Sequence, residues 1–520
     1  MDHNSWVVTQ FFWLMLAAFG VALLARRARL PYPLALVATG LAVGAAHALP
    51  RVRLEPSLLL SVFLPPLLFE AGIHLRASSL RRDWKPITVY TLGGTLLSTL
   101  VVGGLMGGLL RGAWAPAFVF GALISTTDPI SVLAVFKRLG VGRRLSTILE
   151  AESLFNDAVG VVLFTLMAAV AGGGTASVGQ GVGHFFVLTL GGAALGGAAG
   201  FLASRVHAEI DDHLLETTLT TTVAFGSYLG AQALGVSGVM AVVVAGLVVG
   251  NVGMPRSMSA GTRLAVSALW EYAAFVVNSL VFLLIGIEAA SVHWGDKWAV
   301  ALGAVGIVLL GRAAIYPLSW VVNKAGGRVP ASWQHVLFWG GLRGALSMAL
   351  VLGLPPDFPQ RETLVAATFG VVLFSLLVQG LTIGPLLRRL GLTGGRSASP
   401  VSVPDAAALG RVAGERLAAQ AALSELARMS AGGEHAAWAV QELMGHYRAR
   451  LAALERAAQS PDPDAGAHRE RQAVRVRRAA LSAEKGALQQ AERQGELPES
   501  DWRRIAARID AELLALEREG

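Results

Sequence analysis

The sequence predicts an all-α polytopic membrane protein with a cytoplasmic α-helical tail, on three observations. Of the 520 residues, 54% are hydrophobic and only 15% charged, with a mean hydropathy of +0.55. A soluble chain is roughly 45–50% apolar and about 25% charged. Second, apolar stretches of about 20 residues, the length that crosses a bilayer as a helix, recur over the first three quarters of the chain. Third, the character changes near Gly394, where GGRSASPVSVP leads into sequence rich in Ala, Glu, Arg and Leu. These features divide the chain into a membrane domain over 1–393, a linker over 394–404 and a helical tail over 405–520.

Thirteen apolar stretches qualify as spans: 6–25, 32–49, 56–74, 86–110, 115–136, 145–171, 183–204, 214–231, 236–250, 264–289, 298–322, 331–353 and 363–387. Most loop Lys and Arg gather on one side: Arg26, Arg27, Arg29, Arg76, Arg81, Arg82, Lys85, Lys137, Arg138, Arg143, Arg144, Arg205, Arg256, Arg263, Lys324, Arg328, Arg388, Arg389 and Arg396. The other side has Arg51, Arg53, Arg111, Lys297 and Arg361. The positive-inside rule makes the first side cytoplasmic. This places the N-terminus outside and the tail inside the cell (inner) membrane, as an odd number of spans requires. The basic cluster follows the first apolar segment, so the start reads as a span and not as a cleavable signal. The net charge of +8 therefore reflects topology and attraction to the lipid bilayer, and no nucleic-acid partner is expected. With no cysteine, disulfides and thiolate metal sites are excluded. Tail helices are expected near 405–429, 434–458, 467–494 and 500–518, the last with Trp502, Ile505, Ile509, Leu513 and Leu516 on one face. A packed or dimerising bundle is the plain reading of this tail, and a regulatory role the alternative.

Three polar clusters interrupt the apolar pattern. Leu145 to Gly172 is long enough to span, yet holds Glu150, Glu152, Asn156 and Asp157 in its first half. A charge at mid-membrane costs about 2.5–3.5 kcal/mol even on lenient scales, so such groups normally face a cavity and act there. Ser153 and Asp157 lie four apart on one helix face, while Glu152 and Asn156 share the adjoining one. The first pair offers hard oxygens suited to a small alkali cation; the second suits a polar scaffold. Glu150, nearer the basic end, reads as a funnel or surface carboxylate.

The second cluster is STTDP, with Thr126, Thr127, Asp128 and Pro129. Proline lacks an amide hydrogen and turns the preceding residue away from helix, so Asp128 is expected at a helix break. There it either caps the second half-helix or joins an ion site of the kind built from half-helix ends. The third cluster is GGLRGA, placing Arg343 at membrane depth among glycines. Arg343 needs a carboxylate, and Glu152 is the expected partner. Arg312 is a second buried cation, for which Asp128 and Glu271 are the acids considered. Glu70, after Pro65–Pro66, is a further acid without a local partner, and Glu288 reads as interfacial.

STTDP, ESLFND and GGLRGA, in that order, together with FLPPLLFEAGIHL, resemble the monovalent cation/proton antiporters of the sodium/proton exchanger superfamily, and within it the electroneutral bacterial branch. The resemblance covers roughly residues 10–390. It implies thirteen spans, inverted repeats, crossed discontinuous helices and a homodimer. It further implies Asp157 as the shared cation and proton site, with Ser153, Thr127 and Glu70 as ion ligands beside Asp128. Asn156, Glu152, Arg343 and Arg312 are implied as structural core. No cofactor is expected beyond the transported Na+ and H+, and the role implied is pH homeostasis.

One carboxylate cannot hold two cargoes, so competition at Asp157 gives exchange. With Asn156 beside it instead of a second acid, one-for-one electroneutral exchange of Na+ or Li+ for H+ is expected. K+/H+ antiport is the first alternative. A cation channel or a non-transporting ion or pH sensor is the alternative from another class. No nucleophile–base pair, metal motif or phosphate loop points to an enzyme.

Overall fold

The computed structural model describes residues 3–28, 31–46, 59–172, 178–210, 212–292, 294–295, 297–393 and, in the tail, 416, 419–420, 422–424, 426–428, 437–459, 509 and 512. These form two compact units, Met1–Ser397 and Ala398–Gly520. Among the described residues there is no β-strand.

The membrane unit runs α1 His3–Ala28, α2 Tyr32–Ala45, α3 Leu64–His74, α4 Trp84–Leu109, α5 Trp114–Ser125, α6 Ile130–Leu139, α7 Arg143–Ala171 and α8 Val178–His207. It continues with α9 His213–Ala233, α10 Gly238–Arg256, α11 Ala260–Ser291, α12 Trp298–Arg312, α13 Ile315–Lys324, α14 Ala331–Trp339, α15 Ala345–Leu352 and α16 Arg361–Arg389. By length and composition α4, α7, α8, α10, α11, α16 and the pairs α5–α6 and α12–α13 suffice to cross a membrane, and shorter apolar helices lie in α1, α2 and α3. Caps set several starts. Asp212 accepts from the Leu214 and Leu215 amides at 2.8 and 3.1 Å, which holds its carboxyl below the usual carboxylate range. Ser237 and Ser259 cap α10 and α11 in the same manner.

Two groupings emerge. In one, α2 packs on α11 and α3 on α10, with α8 and α9 beside α10. Backbones touch at these crossings: a Cβ on Gly286 would meet the Val37 carbonyl oxygen at 2.3 Å and the Gly40 Cα at 2.8 Å. In the other, α4, α5–α6 and α7 form a whole–broken–whole triplet, and α12–α13, α14–α15 and α16 form a second. α4 starts beside Lys85 on the basic side and α12 starts beside Lys297 on the other, so the triplets run in opposite senses. Buried Asp83 ties the basic end together. It accepts from Arg82 Nε at 2.9 Å and Arg144 Nε at 2.7 Å, and Arg144 reaches on to the Gly327 carbonyl at 2.7 Å.

Both breaks have local causes. Thr126 turns extended (φ −63°, ψ 143°) two residues before the Asp128–Pro129 bond, and α6 starts directly after the proline. The second break, Gly340–Gly344, rests on close approach: a Cβ on Gly344 would lie 2.3 Å from Asp128 Oδ2.

In the tail unit, α17 Ala437–Gln459 occupies the expected 434–458 helix, and the described residues within 405–429 are helical. Ile509 is buried. The linker 394–404, the stretch 467–494 and Trp502, Ile505, Leu513 and Leu516 lie outside the described residues.

Replacing Gly286 by Ala should lower the thermal unfolding midpoint in detergent, since overpacking a tight contact costs about 1–3 kcal/mol. Gly108→Ala, with no atom within 4 Å of the added methyl, should not. Equal midpoints for the two variants would remove the close crossing as a stabilising feature.

Candidate functional site

The two breaks cross in the second grouping and complete each other. The Asp128 amide donates to the Leu342 carbonyl at 2.8 Å. Unwound backbone at membrane depth needs partners from protein, because lipid offers none. α7 supplies them to the first break. The Thr127 amide donates to Asn156 Oδ1 at 3.2 Å, and Asn156 Nδ2 donates to Thr127 Oγ1 at 2.7 Å. Ser153 Oγ lies 2.6 Å from Thr127 Oγ1 and 2.9 Å from the Thr127 carbonyl oxygen. α15 adds Ser347, whose hydroxyl is 3.0 Å from Thr126 Oγ1 and donates to the Leu123 carbonyl at 3.0 Å. α16 does the same for the second break. The Arg343 amide donates to Ser375 Oγ at 3.1 Å, and Gln379 Nε2 donates to the Trp339 carbonyl at 3.2 Å. Ser375 and Gln379 bracket a π-helical turn, a widening of the helix common at functional positions.

The expected pairing of Glu152 with Arg343 is not what forms. Glu152 is held by Arg312, Nη1 to Oε1 at 2.7 Å and Nη2 to Oε2 at 3.1 Å, and Arg312 also donates to the Leu337 carbonyl at 3.1 and 2.8 Å. Arg312 ends α12, a helix flanking the crossing, so its guanidinium slides in laterally past Gly341, where a Cβ would meet Nε at 2.5 Å. Asp128 and Glu271 therefore do not neutralise it. Arg343 points along the break and donates Nη1 to the Thr126 carbonyl at 3.1 Å. It is 1% exposed, forms no ion pair among the described residues, and its Nε has no partner.

A cavity of about 150 Å³ opens beside the crossing, lined by Glu70, Thr126, Thr127, Asp128, Glu150, Asp157 and Asn278 among apolar neighbours. Asp157 makes no hydrogen bond or ion pair with any described residue, whereas Asp128 Oδ1 accepts from the Ile130 amide at 2.9 Å and so caps α6. The structure thus brings Glu70, Thr127, Asp128 and Asp157 to one cavity. Ser153, 1% exposed, does not line it and reaches it only through Thr127. The Glu70 carboxylate lies 3.2 Å from His74 Nδ1, and His74 Nε2 lies 3.8 Å from Glu271, which is 67% exposed. From Asp157 the cavity runs to Glu150, seven residues nearer the basic end of α7, about 10 Å along the helix.

Sequence reasoning did not single out Asn278, Ser347, Ser375 or Gln379. A lone asparagine in AFVVNSLVF was a usable signal. The serines were not, since a hydroxyl in an apolar helix commonly bonds back to its own turn.

Known proteins bear on this geometry. The transmembrane sodium/hydrogen exchanger profile matches residues 14–389. The chain is 42% identical over 395 residues to the Na+/H+ antiporter NhaG of Bacillus atrophaeus, covering 74% of each. It is 39% identical over 396 residues to the Na+/H+ antiporter ApNhaP of Aphanothece halophytica, covering 75% of this chain and 76% of that protein. Among solved structures, the sodium proton antiporter MjNhaP1 of Methanocaldococcus jannaschii superposes with a TM-score of 0.61 at 19% identity, over 74% of this chain and 98% of that one, and shares the fold.

Glu152→Gln should destabilise the protein by roughly 3–5 kcal/mol, because it strands a buried guanidinium. Adding Arg312→Met should recover much of that loss, and adding Arg343→Met should not. A double-mutant cycle that couples Glu152 to Arg343 more strongly than to Arg312 would contradict the observed pairing.

Proposed function

The chain belongs to the sodium/hydrogen exchanger family, and from that premise we propose that it exchanges Na+ for H+ across the cell membrane through alternate occupancy of Asp157. The charge count at the crossing carries the reading. Three carboxylates, Asp128, Glu152 and Asp157, meet two guanidiniums, Arg312 and Arg343. Glu152 and Arg312 cancel as a bidentate pair. Arg343 has no carboxylate of its own and balances one of the remaining two. A single negative charge is left, and Asp157 is the acid without a protein partner.

One proton or one monovalent cation neutralises that charge, and both at once overshoot it. Moving an uncompensated charge through a bilayer is costly, so the core crosses only when the site is filled by one or the other. Exchange is then obligatory and one for one. Asp157 serves as the carboxylate shared by both ions, Thr127 and Asp128 supply further oxygens at the cavity wall, and Glu70 and Glu150 draw cations towards it. Ser153 and Asn156 hold Thr127 in place. Glu152 and Arg312 brace α7 against α12. We read all thirteen apolar stretches as crossings, with the N-terminus outside, the tail in the cytoplasm, and the cavity open to the cytoplasmic side. Assembly as a homodimer belongs to the same reading, and the role is pH homeostasis.

Asp157→Asn should abolish cation-driven pH change in proteoliposomes while the purified protein elutes and melts as a folded species; retained exchange would sink the assignment. In the intact protein, protons compete for Asp157. The cation concentration for half-maximal exchange should therefore rise as pH falls, approaching tenfold per pH unit at the acid end, with little change in the maximal rate. A half-saturation that does not respond to pH would exclude shared occupancy. Comparing Na+, Li+, K+ and Rb+ in the same assay separates sodium from potassium exchange. Cation flux without proton counterflow would indicate a channel.

A further inference from the structure

Away from the ion cavity, a groove of about 450 Å³ lies between α13, α14 and the last turns of α16, lined by Tyr316, His335, Phe338, Trp339, Thr382, Pro385, Leu386 and Arg389. Its size falls within the roughly 300–1,000 Å³ of small-molecule sites. The interior is aromatic: the Tyr316 ring packs at 5.5 Å from Phe338 and at 5.6 Å from His335. Tyr316 Oη and His335 Nδ1 lie 2.9 Å apart, leaving Nε2 as the remaining polar atom of that ring, and Trp339 Nε1 donates to Thr382 at 2.8 Å. The mouth is cationic. Arg389 is exposed, and among the described residues its guanidinium has no hydrogen-bond or ion-pair partner. Among the described residues no carboxylate lines the groove.

The mouth of the groove lies at the basic end of these helices, where Arg389 closes α16, and Tyr316 and Trp339 lie deeper. α13 ends at Lys324, whose ammonium lies 3.7 Å over the exposed Trp320 ring, the aromatic-and-basic pairing found at membrane interfaces. From that end α14 extends nine residues, roughly 13 Å, into the apolar layer.

We propose that this groove binds an anionic phospholipid, its phosphate held by Arg389 beside His335 and one acyl chain laid along Phe338, Trp339, Pro385 and Leu386. A basic mouth above an apolar trough between membrane helices matches an anionic headgroup with a chain attached. A zwitterionic headgroup brings its own cation to a mouth that already holds one. Occupancy bears on the crossing, because Trp339 is the last residue of α14 and is tied to α16 through Gln379 and Thr382. A lipid wedged there braces α14 where it enters Gly340–Gly344.

The test uses the full-length protein, in phosphatidylcholine alone and with a minority of phosphatidylglycerol. Phosphatidylglycerol should raise the thermal midpoint and speed cation-driven proton movement several-fold. Arg389→Gln and the groove-filling Leu386→Trp should each lose most of that response and keep the phosphatidylcholine activity. Arg388→Gln, which removes an equal charge outside the groove, should keep the response. No effect of phosphatidylglycerol on the parent, an equal effect of added phosphatidylcholine, or matching losses in Arg388→Gln and Arg389→Gln would overturn the site. So would oxidative cross-linking of Leu386→Cys, the sole thiol in such a chain, to a second copy, which would assign the groove to a protein neighbour.

Discussion

The hydrogen bond from the Asp128 amide to the Leu342 carbonyl is the contact on which the site is built. Two helices come apart at membrane depth, and each leaves donors and acceptors that lipid cannot satisfy, at several kcal/mol apiece. Laying the two loose segments across each other answers part of that cost. Short polar side chains from the flanking helices answer more: Asn156 and Ser153 from α7, Ser347 from α15, Ser375 and Gln379 from α16. A slip of one turn in any of these helices would strand the groups it serves, so the cavity is framed by backbone that is itself fixed in place.

Electrostatics follows from that scaffold. Glu152 and Asp157 lie five residues apart on α7, yet their circumstances diverge completely. Glu152 meets the fork of Arg312 and ceases to be an available charge. Asp157 faces the cavity with no hydrogen-bond or ion-pair partner among the described residues. Arg343 mediates between them: its backbone amide and one guanidinium nitrogen are committed to the crossing, while its charge reaches both Glu152 and Asp157. A guanidinium fixed by backbone bonds balances charge without sealing the acid in an ion pair.

Much of this was legible in the residues, and the limits have a physical origin. Apolar length located the helices, Asp128–Pro129 and the glycines around Arg343 located the breaks, and the polar groups of α7 pointed to the candidate site, of which Glu150 and Asp157 line the cavity. Depth is what such signals encode. The azimuth of one helix against another is not, and for that reason the sequence pairs Glu152 with Arg343: both arginines lie at similar depth, and only the tertiary approach of Arg312 from the end of α12 decides which one arrives. The same gap hid the position of Ser153. Spacing puts it on the face of Asp157, but the crossing segment fills the space between, so its hydroxyl is spent on Thr127. Asn278 stood out as a lone asparagine in an apolar helix, but its place in the cavity wall beside Asp157 is tertiary, since α11 is remote from α7 in sequence.

The opposed triplets are alike in backbone and unlike in charge. Each ends in a whole helix that clamps a break through its backbone amide, α7 at Thr127 and α16 at Arg343. Thus the structural duty is shared between the halves. The chemical duty is not: beside the clamp, α7 carries Asp157, whereas α16 carries the neutral Ser375 and Gln379 at its π-helical turn. An acid on both helices would put a second negative charge at the crossing with no further guanidinium to balance it. The repeated frame places both breaks at one crossing, and the charge there is unequal, with the acid on α7 alone. The repeated backbone and the unequal charge are thus separate features of the fold, the first carried by two opposed triplets and the second by the single carboxylate of Asp157.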